Sequence, residues 1–304
     1  MSSRAASGGD GGAGDKALVV LVSLVWALNW IVAAIALREL SPWSLRFAAT
    51  GIGAAALFTA ALLSGQTLRI PRSEVLHVAI VGFFNVAALQ VLSGFAQLSG
   101  ATSRAIIITY SMPIWATLLS VLVLGERLNA LRALAYILCI AGIAILISPL
   151  FGAGFPPFVI YSLGCALSWA FGTVYMKWMK SSIGALTNAA WQLLFGFGFV
   201  AVGCLGFEGL PHLWPLRAET AWAVAFVGLF GVGLAQFLWW RIIGRLSPIT
   251  ASIGSLLVPV IGVTASEIVL GERLTPADIV GFAMIFVAAA CVLLPSNAKQ
   301  RVAL

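Results

Sequence analysis

The sequence predicts an all-α polytopic membrane protein: ten transmembrane helices arranged as two inverted five-helix repeats. Composition is the first observation behind this. Hydrophobic residues make up 61% of the chain and charged residues 9%, with a mean hydropathy of +1.06, whereas a soluble domain carries about 25% charged side chains. The second is length. The apolar runs extend for about 20 residues, enough for a helix to cross about 30 Å of hydrocarbon, and they do not alternate as barrel strands do. The third is a duplication. Adding 146 to Gly82, Phe84, Gln90, Ala105, Ile107, Pro113, Ser120 and the run Val123-Leu124-Gly125-Glu126-Arg127-Leu128 gives Gly228, Phe230, Gln236, Ala251, Ile253, Pro259, Ser266 and Val269-Leu270-Gly271-Glu272-Arg273-Leu274. No gap interrupts the register.

In chain order, residues 1–16 are Gly- and Ser-rich and are expected to form a disordered cytoplasmic N-terminus. The apolar run after them is long enough to span, so they do not read as a cleavable signal. The first repeat, 17–149, holds spans at Ala17–Leu37, Trp43–Leu63, Val75–Leu98, Ala101–Leu124 and Leu131–Pro149. The second, inverted repeat, 150–295, holds spans at Pro157–Lys177, Ala185–Phe207, Ala221–Ile243, Pro248–Leu270 and Ala277–Leu294, followed by a cytoplasmic tail, 296–304. Ser41-Pro42, Ser247-Pro248 and Thr275-Pro276 each put a hydroxyl at a helix N-cap and proline at the first helical position. Thr275 with Asp278 has the spacing of a capping box, and Asn129 takes the cap position in the first copy. The repeated Leu-Gly-Glu-Arg then ends one helix and turns the chain into the next.

The net charge of +7 does not point to nucleic acid, because the basic residues sit in short loops. With the N-terminus inside, Arg4, Lys16, Arg69, Arg72, Arg127, Arg132, Lys177, Lys180, Arg241, Arg245, Lys299 and Arg301 are cytoplasmic. Only Arg38, Arg46, Arg104, Arg217 and Arg273 remain outside. Both termini are therefore expected in the cytoplasm. Five spans per half is an odd number, so the second copy enters the membrane upside down. Such inverted repeats build two mirror-related gates around one midplane site, which points to a transporter.

Polar and aromatic groups at mid-depth are the site candidates, because each costs free energy unless it is buried in protein or lines water. Asn85 and Gln90 lie in the third span and Gln236 in the eighth. At 1.5 Å per residue the two glutamines fall roughly 5 Å either side of the midplane. They either flank a substrate or bond across helices, at about 0.6 kcal/mol each. Trp26, Trp169 and Tyr110 are expected to line a cavity; Trp30 and Trp115 read more readily as packing. An aromatic wall suits apolar or aromatic side chains and also organic cations. Trp43, Trp178, Trp214 and Trp222 read as interfacial belt residues.

Pro113 and Pro259 each remove a backbone donor, freeing the carbonyls of Thr109 and Ser255 beside the proposed site. Either they gate by bending or they are fixed kinks that widen the cavity. Glu267, near the outer end of the ninth span, either couples transport to protons or reaches water. Arg46 and Arg104 are expected to snorkel to the outer face, leaving no deep cationic cluster for a phosphate. His77 and His212 carry no assigned role. Cys139, Cys165, Cys204 and Cys291 read as small core residues without disulfides.

These features resemble the drug/metabolite transporter superfamily, in its EamA-type branch of ten-helix exporters. The likeness rests on the stretches from Pro113 and from Pro259 to Leu-Gly-Glu-Arg-Leu, and on Trp26 and Trp169 in the first helix of each half. It covers about Ala17 to Leu294. Within the branch the chain is similar to the YddG-type exporters of aromatic and other neutral amino acids. Trp169 in Ser168-Trp169-Ala170 and Tyr110 in Tyr110-Ser111-Met112-Pro113 match that exporter's cavity aromatics. Met112 departs from it, standing where the related exporter carries an aromatic. The resemblance implies a multi-pass protein of the bacterial inner membrane that exports neutral amino acids by alternating access. The substrate-binding set is then Trp26, Asn85, Gln90, Tyr110, Trp169, Gln236 and Ser255. Its partners are a small-molecule substrate and the lipid bilayer, without nucleic acid or cofactor, and a monomer is compatible with this. A multidrug or organic-cation exporter, and a non-transporting assembly or sensor protein, are the alternatives. An intramembrane enzyme is disfavoured, since the spans offer no HExxH, paired Asp or nucleophile beside a base.

Overall fold

The computed structural model describes residues 13–125, 130–149, 156–243 and 257–293. Ser247-Pro248, Asn129, Ser255 and the expected cytoplasmic tail lie outside the described residues. Helix α1 (Ala13–Ala36) starts four residues ahead of the expected Ala17. It is followed by α2 (Pro42–Leu63) and by α3, built from Arg72–Gly82, Phe83–Ala88 and Leu89–Ser99. The fourth helix, α4, comes in two pieces, Thr102–Thr109 and Met112–Leu124, before α5 (Ala130–Ile147). The second half repeats the pattern with α6 (Pro157–Met179), α7 (Ala185–Phe207) and α8, built from Ala218–Phe226, Val227–Leu234 and Ala235–Ile243. It closes with α9 (Leu257–Leu270) and α10 (Pro276–Leu293). No strand occurs among the described residues. Among the described residues, seven helices are long and apolar enough to cross a membrane; α5, α9 and α10 contribute the shorter apolar stretches Ala133–Ile147, Leu257–Leu270 and Pro276–Cys291.

Local chemistry sets the helix ends as expected. The Ser41 hydroxyl accepts from the Ser44 amide at 3.1 Å, with Pro42 opening α2. Thr275 and Asp278 form a reciprocal capping box: the Thr275 amide donates to Asp278 at 2.8 Å, and the Asp278 amide donates back to Thr275 at 3.2 Å. The glycines of the two Leu-Gly-Glu-Arg stops, Gly125 and Gly271, have φ of 69° and 70°. That left-handed turn is open to glycine at little steric cost.

The two halves pack as images of each other. Helix α2 lies against α7 and α5 against α10, each a pair of equivalent helices. Helix α1 lies on α9 as α6 lies on α4, and α2 lies on α8 as α7 lies on α3. Exchanging the halves reproduces the set. Individual residues obey the same rule. A Cβ on Gly53 of α2 would come 3.0 Å from the carbonyl oxygen of Gly228 in α8. In the exchanged pair, a Cβ on Gly82 of α3 would come 2.8 Å from the carbonyl oxygen of Gln192 in α7, one turn from Gly196. Only glycine permits so close an approach of two helix backbones.

The connections lie on two opposite faces. On the first face Glu39 accepts from the Arg217 amide and the Thr220 hydroxyl, and Glu208 from Ser41. On the second, Glu74 accepts from Ser181 and Ser182, and Thr187 donates to the Thr67 carbonyl at 3.0 Å. Each contact joins one half to the other. The four cysteines are free, with Cys139, Cys165 and Cys204 buried.

Candidate functional site

A cavity opens between the halves, walled by α1, α2, α3 and α4 from the first and by α6 and α8 from the second. It offers about 70 Å³ to the centre of a water-sized sphere. One water needs about 10–15 Å³ on that measure, so the space suits a small metabolite rather than a peptide. Six of the seven residues selected from the sequence line it: Trp26, Asn85, Gln90, Tyr110, Trp169 and Gln236. Ser255 lies outside the described residues. Glu267 is exposed on α9 and does not reach the cavity.

The aromatic wall is continuous. Trp26 meets Trp169 edge-on at 5.7 Å and Trp239 at 5.2 Å, and Tyr110 meets Trp169 at 5.5 Å. The Trp26–Trp169 and Tyr110–Trp169 contacts are edge-to-face, placing a positive ring edge on a negative face, while Trp239 packs on Trp26 at a tilt of 55°. Trp30 also lines the cavity, although its position reads more readily as packing. Trp115 does not: its indole donates to the Ser111 hydroxyl at 2.9 Å, four residues away.

Two irregular helices shape the site. Phe83–Ala88 and Val227–Leu234 are π-helical and occupy equivalent places in α3 and α8. The widened turn leaves α3 carbonyls available, and α6 uses them: Ser168 donates to Phe84 at 2.7 Å and Cys165 to Leu89 at 3.4 Å. Helix α4 breaks at Tyr110 and Ser111, immediately before Pro113. The break aims the Tyr110 ring at Trp169 and leaves the Thr109 hydroxyl lining the cavity without a partner among the described residues.

The polar wall was only half anticipated. Asn85 seats its carboxamide on Gly172 of α6, and Asn29 of α1 seats its own on Gly231 of α8; a Cβ on either glycine would overlap it. Gln97 donates to the Trp30 carbonyl at 2.7 Å. The expectation for Arg46 is overturned. Its side chain is 1% exposed, faces the cavity instead of the membrane surface, and donates to the Ser93 hydroxyl at 3.1 Å. Arg104 does not snorkel either, but forms a two-pronged ion pair with Asp278 at 2.7 and 3.1 Å. A signal for some of the missed residues exists in the sequence. Gln90, Ser93 and Gln97 recur at i, i+3 and i+7, and Trp26, Asn29 and Trp30 share one helical face. Arg46 carried no such signal, because its place near a span end matches that of a surface arginine.

The EamA-like transporter family model matches residues 16–148 and again 157–294. The chain is 25% identical over 281 residues to the uncharacterized transporter YoaV of Bacillus subtilis, covering 88% of this chain and 92% of that one. It is 23% identical over 281 residues to a probable amino-acid metabolite efflux pump of Escherichia coli, covering 89% and 92%. A solved crystal structure has the same fold, with a TM-score of 0.67 at 23% identity over 92% of this chain and 98% of the other. Two matches to one family model, on two halves that pack as images around a shared cavity, make this chain a multi-pass membrane transporter of the EamA-like family.

Proposed function

We propose that the protein is a secondary transporter that exports small neutral metabolites, above all aromatic and other neutral amino acids, by alternating access. The observation that carries this reading is the cavity itself. It lies between two halves related by exchange, and it joins a wall of four aromatic rings to a wall of amides. Such a site favours an apolar side chain at one end and a polar head at the other. The loop-charge bias favours an orientation with the face carrying Glu39, Arg217 and Glu272 outside and both termini in the cytoplasm. The bacterial relatives favour the cytoplasmic membrane, and the name of the Escherichia coli relative favours amino-acid efflux. An organic-cation exporter would draw on the same aromatic wall, but a buried arginine in the cavity opposes it.

Counterflow in proteoliposomes tests the reading. Labelled phenylalanine, threonine or methionine should accumulate against preloaded unlabelled amino acid, and a phosphorylated sugar or an organic cation should not. Transport of the phosphorylated sugar with the amino acids ignored would overturn it. Proton coupling through Glu267 is a separate proposal: Glu267→Gln should abolish any acceleration by an imposed proton gradient and leave exchange intact.

A further inference from the structure

We infer that Arg46 is the anchor for a carboxylate on the substrate, so that the site requires an acid and discriminates against the corresponding amide or amine. This deepens the transport reading above and rests on it for the cavity's being the substrate site. The Arg46 guanidinium is buried, yet among the described residues its one hydrogen bond runs from Nη2 to the Ser93 hydroxyl at 3.1 Å. Its Nε and Nη1 donors have no partner among the described residues. Among the described residues no aspartate or glutamate lines the cavity. The ion pair formed between described residues, Arg104 with Asp278, lies elsewhere. An unpaired buried cation is costly, and the cost falls when an anion enters beside it. Among small anions, a carboxylate offers two oxygens in the plane of the guanidinium fork.

The rest of the neighbourhood orients this group. Ser93 donates its own hydroxyl proton to the Gln90 carbonyl at 2.7 Å, so its oxygen is left to accept from Arg46. That contact holds one corner of the guanidinium and leaves the remaining donors free. The duplication sharpens the assignment. In the first two helices the repeat offset is 143, as Trp26 with Trp169 and Gly53 with Gly196 show, so the residue equivalent to Arg46 in the second half is Ala189. At the offset of 146 that holds from the third helix on, the residue equivalent to Ser93 is Trp239. The scaffold is thus built once without the charge, so the charge belongs to the site. The other unpartnered polar groups among the cavity-lining residues are neutral: Gln97 Oε1 and the Thr109 hydroxyl have no partner among the described residues. They can receive an ammonium but do not demand one. The carboxylate is therefore essential and the amine dispensable.

The test is calorimetric titration of the purified full-length protein at neutral pH with four ligands that share a ring: phenylalanine, 3-phenylpropionate, phenylalaninamide and phenethylamine. Threonine and threoninamide repeat the comparison with a small side chain. Acids should bind about 10- to 100-fold more tightly than amides or amines, the range expected for a hydrogen-bonded charge pair. In Arg46→Gln the preference for acid over amide should shrink to within about twofold, and Arg46→Lys should retain part of it. Loss of a merely structural arginine would weaken acid and amide alike. Equal binding of acid and amide by the unaltered protein would overturn the proposal, as would no binding of any of these acids; neither result depends on a variant's folding. Acids that bind but show no counterflow would leave the anchor standing and remove the transport reading instead.

Discussion

At the scale of single residues, the two asparagine niches show how tightly the cavity wall is built. Asn29 against Gly231 and Asn85 against Gly172 are one arrangement used twice with its members exchanged between the halves. Gly172 stands where Asn29 stands in the first half, and Gly231 where Asn85 stands. Each carboxamide oxygen lacks a partner among the described residues, so the amide is held by shape rather than by bonding. Gly172→Ala should therefore destabilise the protein by about 1–3 kcal/mol, the range for overpacking a core, seen as a lower midpoint of thermal unfolding in detergent. Adding Asn85→Ala to that variant should recover most of the loss. If the two effects simply add, the niche is not what makes Gly172 necessary. Asn85 was legible as a mid-span polar residue; its glycine was not, since a glycine among apolar residues announces no particular neighbour.

At the scale of elements, the Leu-Gly-Glu-Arg stop does more than end a helix. Glu272, in the second copy, accepts from the amides of Thr102 and Ser103 at 2.6 and 2.9 Å, capping α4 of the other half. A carboxylate at a helix N-terminus satisfies orphan donors and meets the positive end of the dipole. Glu272→Ala should cost about 1 kcal/mol by the usual worth of a cap. If α4 must stay docked to close the first face, a cysteine at Ser103 should also label faster in that variant. Unchanged labelling would make the cap structural only. The break of α4 beside Pro113 gives the second prediction at this scale. Should the prolines gate, Pro113→Ala and Pro259→Ala will slow counterflow, leave binding within severalfold, and bias the cavity toward opposite faces. Two variants with normal flux would mean fixed kinks.

At the scale of the whole molecule, the inverted repeat predicts that equivalent loops lie on opposite faces. Gln66, between α2 and α3, and Trp214, between α7 and α8, are both exposed. With Cys291 replaced and the three other cysteines buried, Trp214→Cys should react with an impermeant thiol reagent in intact cells, and Gln66→Cys only after the cells are permeabilised. Labelling of both from one side would refute the orientation and the duplication's inverted reading together.

The sequence alone determined the class, the ten spans and the repeat. Those follow from hydropathy, length and register, which are properties of the chain read in one dimension. It also marked the residues whose chemistry is out of place in lipid, among them Trp26, Asn85, Gln90, Tyr110, Trp169 and Gln236. Tertiary structure decided which of the remaining polar groups face inward. Arg46 and Arg104 looked alike, each near a span end, and both were assigned to the surface. Packing placed one beside Asp278 and left the other turned toward the cavity without a counter-ion. The physical reason is that a helix position fixes depth along the membrane normal, while the direction a side chain faces depends on which helices pass beside it.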